Sequence, residues 1–192
     1  MERIAGALSD MLVAREVVES ENREFYRYAI ESILMLLVNL VTMVGLAMAS
    51  GKLCEGLFFL MVFSPLRSCC GGIHMKTWYS CYFVSCGIFE IVLLLSGMVS
   101  ISWWLLLILI PVCELIIWKL APCVDEKHPI SEESIQKNRL RARVYSILLC
   151  CLTVVLKLLG YEVGVMLGGS AMVLCGGLMV AKRIPMNWFN HR

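Results

Sequence analysis

The sequence predicts an all-α membrane protein with about six transmembrane helices and an N-terminal amphipathic surface helix. Of the 192 residues, 59% are apolar and only 17% are charged, whereas soluble domains average about half apolar and about a quarter charged. The apolar residues fall in runs close to the roughly 20 residues that cross a bilayer. Disorder is excluded because a disordered chain needs low hydrophobicity and high net charge.

The first segment, 1–28, predicts an amphipathic helix. Apolar residues recur there at helical spacing, at Ile4, Leu8, Met11 and Leu12, with charged residues between them. This pattern is typical of a helix that lies on the membrane surface or packs against the rest of the protein. Its acids balance its arginines, so tight binding to anionic lipid is not implied.

Six apolar runs follow and predict the spans. We expect them at 29–50, 53–66, 81–99, 102–120, 144–160 and 162–181. The second run is short and ends at Pro65, so a tilted or re-entrant segment is the alternative there. The chain 1–192 is then a single integral-membrane domain, with spans one to four in 29–120, a hydrophilic loop at 121–143, spans five and six in 144–181 and a tail at 182–192.

Basic residues predict that both termini lie in the cytoplasm, because cytoplasmic loops carry an excess of lysine and arginine. The 121–143 loop holds five basic residues and the 182–192 tail holds three, whereas the turns on the other side offer at most Lys52 and Lys157. Six crossings satisfy this bias, and they place the 67–80 connection at the cytoplasmic face.

Composition also argues against two other classes. The net charge of +2 comes with no basic stripe, so no nucleic-acid partner is predicted. Ten cysteines would suit a disulfide scaffold in a short secreted chain. Most of them lie in apolar runs here, where a thiol behaves as a small hydrophobe.

The connection between the second and third spans carries the residues best suited to catalysis. It reads Arg67-Ser-Cys-Cys-Gly-Gly-Ile-His74-Met-Lys-Thr-Trp-Tyr-Ser-Cys81. A histidine can take the proton of a nearby thiol, and the sulfur then attacks an acyl carbon. The positive charges of Arg67 and Lys76 favour the thiolate. We therefore predict a Cys81–His74 pair.

This pair requires an irregular backbone. On a straight helix, residues seven apart stand about 10 Å apart along the axis, whereas proton transfer needs a contact of about 3 Å. Gly71 and Gly72 supply the freedom for His74 to fold back over the start of the third span. The same glycines offer backbone N–H groups for an oxyanion, although Gly-Gly is more often only a turn.

The pattern Arg-x4-Gly-x-His-x6-Cys between two hydrophobic segments resembles the accessory gene regulator B (AgrB) family. These proteins are integral-membrane cysteine endopeptidases that process quorum-sensing peptide precursors in Gram-positive bacteria. The chain length, the N-terminal helix and the basic run before span five fit the same family. The resemblance implies that Cys81 is the nucleophile and His74 the general base, with Arg67, Gly71 and Gly72 as supporting residues. The neighbouring cysteines 69 and 70 depart from the family pattern.

The resemblance also implies a reaction and its partners. Cys81 would release the C-terminal tail of an AgrD-like pro-peptide and form an acyl-enzyme, and a side chain of the pro-peptide would then displace Cys81 to close a thiolactone or lactone ring. The pro-peptide and the lipid bilayer are the predicted partners, and family analogy suggests a homodimer. The acidic tail is expected to bind a basic run, which equally serves to fix membrane orientation: Lys137, Arg139, Arg141 and Arg143.

A carboxylate is a candidate for orienting His74. Four acids lie within apolar runs, where burial is costly enough to suggest a function: Glu31, Glu55, Glu90 and Glu114. Glu31 begins the first span level with the motif, and it is favoured over Asp125 in the long loop. A bare dyad without a third residue is the alternative.

Other readings of these residues are a transporter, a scaffold and a zinc site. In a small transporter or channel, Glu31, Glu90 and Glu114 would line a polar path. A scaffold for another membrane protein would not depend on Cys81. Zinc could be bound by the cysteines and histidine of the motif, but adjacent cysteines chelate poorly and Cys-x2-Cys spacing is missing. We therefore predict no metal and no cofactor.

Overall fold

The computed structural model describes residues 2–15, 23–71, 78–98, 100–123 and 132–183. Within these ranges the chain forms helices and no strand, which confirms the all-α prediction. The seven helices are α1 (Glu2–Ala14), α2 (Arg23–Ala49), α3 (Leu53–Cys70), α4 (Trp78–Ser96), α5 (Trp103–Leu120), α6 (Glu132–Leu158) and α7 (Glu162–Arg183).

Five of these helices are long and apolar enough to cross a membrane, one fewer than predicted: α2 from Ala29, α3, α4 from Tyr79, α5 and α7. The missing one is α6, because its N-terminal half is polar and the apolar part that follows Arg143 is too short, with Lys157 next to its end at Leu158. The α6 helix nevertheless runs from one end of α5 to the other, since Arg143 bonds the Trp118 carbonyl and Lys157 bonds the Ile101 carbonyl.

Two predicted boundaries are wrong. The second span is neither short nor re-entrant, because α3 continues through Pro65 to Cys70 and reaches 18 residues. The predicted surface helix over 1–28 is divided instead: α1 ends at Ala14, and α2 begins at Arg23, well before the first apolar run. Arg23 holds the two helices together by a 2.6 Å ion pair with Asp10, which keeps the pKa of that carboxyl below its usual range.

The helix α7 forms the centre of the bundle and packs against α3, α4, α5 and α6. Small residues let its neighbours approach closely, as is common between membrane helices. A Cβ atom built on Gly168 would lie 2.5 Å from the Thr153 hydroxyl oxygen, and one on Gly176 would lie 3.6 Å from Ile116. Gly168 therefore sets the spacing of α7 from α6, whereas a side chain at Gly176 would make only an ordinary contact with α5.

The bundle has two ends, which we name by their contents. The motif end is where α3 and α5 finish, and a backbone hydrogen bond between Cys70 and Cys123 joins them there. At the far end, Ser50 donates to Glu90 at 2.5 Å and Lys157 pairs with Glu162 at 2.6 Å. Because α3 and α5 end together, α4 and α6 both begin at the motif end.

We expect Gly56→Val to destabilise the protein, because Gly56 lies where α3 crosses α2. A Cβ atom at this position would lie 2.6 Å from the Ala47 Cβ and 3.3 Å from the Phe89 ring. Overpacking of this kind costs about 1–3 kcal/mol. Thermal unfolding in detergent should show a lower Tm for Gly56→Val and an unchanged Tm for Gly45→Ala, where no atom lies within 4 Å of the added Cβ. An unaltered Tm for Gly56→Val would contradict this packing.

Candidate functional site

The sequence motif begins at a sharp corner that ends α3. Gly71 has a φ of +70°, a left-handed conformation that side chains other than glycine rarely adopt. The backbone N–H of Gly71 donates to the Arg67 carbonyl at 3.2 Å, and the Arg67 guanidinium in turn donates to the Gly71 carbonyl. Arg67 therefore acts on the backbone of the corner, which fixes the direction in which the chain leaves α3.

The corner is fixed to the end of α5. Gly71 and Cys123 form an isolated parallel bridge, in which the Cys123 N–H donates to the Cys70 carbonyl at 2.8 Å. The Cys123 carbonyl oxygen occupies the space where a Cβ of residue 71 would stand, and Lys182 of α7 donates to the same oxygen at 3.5 Å. Three helices, α3, α5 and α7, thus hold the start of the connection that leads to α4.

Cys81 lies on the first turn of α4 and is half-buried. Two contacts give its level in the bundle: Tyr82 donates to Thr42 at 2.9 Å, and Cys86 bonds Asn39 at 3.5 Å. The helices α2 and α4 run parallel, because both begin at the motif end and Ser50 donates to Glu90 at the far end. Cys81, the residue before Tyr82, therefore lies at the turn of α4 that contacts α2.

Glu31 lies near the level of the α3 corner. The antiparallel helices α2 and α3 contact each other at Ala47 and Gly56. Fourteen residues from these contact points toward the motif end, the chain reaches position 33 on α2 and position 70 on α3. Glu31 is half-buried near this level. A role of Glu31 toward His74 stays a prediction.

Three of the predicted site residues lie outside the described residues: His74, Gly72 and Asp125. The distance between the Cys81 sulfur and the His74 imidazole is therefore untested, and so is the choice between Glu31 and Asp125. The structure describes what lies on both sides of the connection 72–77, which are the corner at Gly71 and the first turn of α4.

The other thiols near the corner differ from Cys81 in burial. All ten cysteines are free, and Cys69 and Cys70 are only 7% and 0% exposed. Burial also raises the pKa of the Cys123 thiol, so this sulfur stays protonated near neutral pH. The four cysteines nearest the connection among the described residues are Cys69, Cys70, Cys81 and Cys123. Of these, Cys81 combines partial exposure with a position at a helix start.

The helix α6 divides the predicted tail-binding residues between two faces. Residues four apart share a face of a helix, whereas residues two apart do not. Lys137 and Arg141 are exposed on one side, where Lys137 pairs with Glu133 at 2.6 Å. Arg139 and Arg143 are on the side facing α5, where the Arg143 guanidinium stacks 4.8 Å from the Trp118 ring. The four residues therefore do not form one continuous patch.

Two of the intramembrane glutamates, Glu90 and Glu114, do not line a common path in the part of the chain described. Glu90 accepts its bond from Ser50 on the α2–α3 turn, at the far end. Glu114 lies between α5 and α6, where Ser146 and Cys150 donate to it at 3.0 Å and 2.9 Å. These two carboxyl groups belong to different helix pairs, which does not favour the transporter alternative.

Comparison with known families gives one match. The family model described as Accessory gene regulator B matches residues 2–181. The matched range includes α1 to α6, nearly all of α7, and the motif from residue 67 to residue 81. No curated protein and no solved structure gives a match.

Proposed function

The chain belongs to the accessory gene regulator B family, and we propose that it is a membrane cysteine endopeptidase that removes the C-terminal tail of an AgrD-like pro-peptide. Membership places the protein in the accessory gene regulator system of quorum sensing, with a propeptide partner and a membrane setting. The nucleophile in this proposal is Cys81, and the general base is His74.

The observation that carries the proposal is the position of Cys81. Its thiol is half-buried at the start of α4, while Cys69 and Cys70 are enclosed in the core. The chain between Gly71 and α4 is anchored at one end by the bridge to Cys123 and at the other by the contact of Tyr82 with α2. A fixed backbone on both sides favours a reproducible approach of His74 to the sulfur, which proton transfer needs.

Cleavage proceeds in this proposal by acyl transfer. The His74 imidazole takes the Cys81 proton, and the sulfur attacks the carbonyl carbon of the scissile peptide bond. The C–N bond then breaks, and the leaving amine of the tail takes the proton from His74. The products are the free tail and a thioester between the pro-peptide and Cys81.

Ring closure follows as a second acyl transfer. A Cys or Ser side chain of the pro-peptide gives its proton to His74 and attacks the thioester carbon, so that the Cys81 sulfur leaves and recovers a proton. With a cysteine, one thioester replaces another at nearly equal energy, and no coupling to ATP is needed. Water competes with this attack, and the half-buried position of Cys81 on the first turn of α4 helps to exclude it.

We also propose that both termini and the motif end face the cytoplasm. Basic residues gather at this end, in the first half of α6 and at Lys182 and Arg183, the last two residues of α7. The turns at the far end carry Lys52 and Lys157, and both bond backbone carbonyls. This distribution agrees with the positive-inside rule. The homodimer suggested by the family stays a prediction.

The test is to trap the acyl-enzyme. Purified protein in liposomes is incubated with an AgrD-like pro-peptide whose ring-forming Cys or Ser is replaced by alanine, so that the second transfer is blocked. Mass spectrometry of the digested protein should find the pro-peptide joined to Cys81 through a thioester that hydroxylamine releases. Tail release with no adduct on Cys81, or an adduct on another cysteine, would reject the assignment.

We expect the acidic tail to bind the exposed face of α6 formed by Lys137 and Arg141. A Lys137→Glu/Arg141→Glu double variant should raise KM for the pro-peptide by about five- to tenfold, the range for a few exposed charges. The value of kcat should stay unchanged, because in this proposal these residues bind the tail and take no part in acyl transfer. Steady-state cleavage at two salt concentrations checks this, since added salt should reduce the difference between the proteins. Equal KM values would remove this face from the binding site.

A further inference from the structure

We propose that the groove between α5 and α6 binds one anionic phospholipid, with an acyl chain along the groove and the phosphate at Arg139 and Arg143. The groove has a volume of about 470 Å³ and is lined by residues of both helices: Ile110, Pro111, Glu114, Leu115, Trp118, Ile147, Cys150 and Cys151. Its volume is in the range typical of small-molecule sites.

The dimensions of the groove fit one chain of a lipid leaflet. From Ile110 to Trp118, the α5 wall extends eight residues, or about 12 Å. One leaflet contributes about 15 Å of hydrocarbon. Leu115 of α5 and Ile147 of α6 are exposed along the groove, so the groove opens sideways, toward the lipid.

The groove has a mainly apolar wall, because its one carboxyl group is already hydrogen-bonded. The single carboxyl group is that of Glu114, and each of its oxygens already accepts a hydrogen bond, from Ser146 and from Cys150. An acyl chain in the groove therefore contacts mainly methyl and methylene groups. It covers the exposed apolar side chains without competing for a hydrogen bond.

The charge at the mouth selects the headgroup. Arg143 stacks on Trp118 and donates to its carbonyl at 3.3 Å, which holds the guanidinium at the level where the groove ends. Its Nε is buried and has no hydrogen-bond partner among the described residues. Arg139 is exposed one helical turn before it, on the same face. Two guanidinium groups above an apolar groove match a phosphate attached to an acyl chain.

The test uses lipids with brominated acyl chains, which quench nearby tryptophan fluorescence. The protein is placed in liposomes of phosphatidylcholine, and increasing fractions of brominated phosphatidylglycerol or brominated phosphatidylcholine are added. The signal of Trp118 is obtained as the difference between the native protein and Trp118→Phe, because the chain holds five tryptophans. We expect half-quenching of Trp118 at a several-fold lower fraction of the anionic lipid.

Arginine variants locate the headgroup. Arg139→Gln should reduce the preference for the anionic lipid by about fivefold or more, because one of the two charge-assisted contacts of guanidinium with the phosphate is lost, and Arg143→Gln should do the same. Lys137→Gln and Arg141→Gln, on the other face of α6, are the matched controls and should keep the preference. Arg139 is exposed and does not support Trp118, so its variant remains informative if Arg143→Gln fails to fold.

Three results would overturn the proposal. Equal quenching of Trp118 by the two lipids would show a groove without headgroup selection. An equal loss of preference in the control variants would show only a general surface charge. Release of quenching by added pro-peptide, with no difference between lipids, would show that the groove binds the substrate. None of these measurements needs cleavage, so the result is independent of the proposed peptidase activity.

Discussion

Cys81→Ala should reduce cleavage of the pro-peptide by about three orders of magnitude or more, to the level without enzyme. The reason is that the sulfur that forms the thioester in the proposed mechanism is lost, while the nearby Cys69 and Cys70 are buried in the core and burial raises the pKa of the Cys123 thiol. Losses of this size are typical of a removed nucleophile. Release of the tail is measured by mass spectrometry in liposomes, with the amount of inserted protein determined in parallel.

Two further variants separate chemistry from stability. Cys54→Ala changes an exposed thiol at the start of α3 and should cleave normally. The double variant Cys81→Ala/His74→Ala should be no slower than Cys81→Ala alone, because residues that act as one unit do not contribute additively. Residual cleavage by Cys81→Ala above background, or an inactive Cys54→Ala, would count against the assigned nucleophile.

The helical architecture was predictable because each apolar run approaches the length of a bilayer crossing. The errors have physical causes. A proline costs an interior helix a hydrogen bond, so Pro65 suggested an end to the second span, yet α3 continues for five residues beyond it. The charged residues of α6 leave it without an apolar stretch long enough for a span, although the helix packs against α5 and α7 as the spanning helices do.

The candidate site was predictable in residue type and only partly in arrangement. The motif marked Arg67 and Gly71, but their function in the corner depends on Cys123, more than fifty residues away. No periodicity in the sequence links the end of α3 to the end of α5, so that contact could come only from the tertiary structure. The division of Lys137 and Arg139 between two faces could have been predicted from the sequence. A continuous helix over 132–158 already implies that residues two apart face different sides.

Gly71 and the start of α4 are the two ends of the connection 72–77, which contains His74. In the proposed mechanism, a shift of the backbone at Gly71 would displace His74 relative to Cys81. A displacement of about 1 Å in a catalytic group can cost about a hundredfold in rate. The Arg67 guanidinium and the Cys123 backbone both restrain Gly71, which gives two independent ways to disturb the same segment.

Gly71→Ala should therefore reduce cleavage at least tenfold, with a smaller effect on the stability of the bundle. The added methyl group would be forced into the Cys123 carbonyl oxygen, and alanine disfavours a φ of +70°. Such local strain costs about 1–3 kcal/mol, which the chain can relieve by giving up the bridge between Gly71 and Cys123. Cleavage in liposomes and Tm in detergent measure the two effects separately.

Gly87→Ala is the matched control, because Gly87 lies on α4 with Cys81 and no atom stands within 4 Å of an added Cβ. This variant should keep both cleavage and Tm. Arg67→Gln removes the other restraint on the corner and should slow cleavage in the same direction as Gly71→Ala, but less, since the backbone bridge to Cys123 is retained. Full activity of Gly71→Ala would mean that the bridge to α5 has no part in placing the motif. If Gly87→Ala were as slow as Gly71→Ala, the loss of activity would come from the α4 helix and not from the corner.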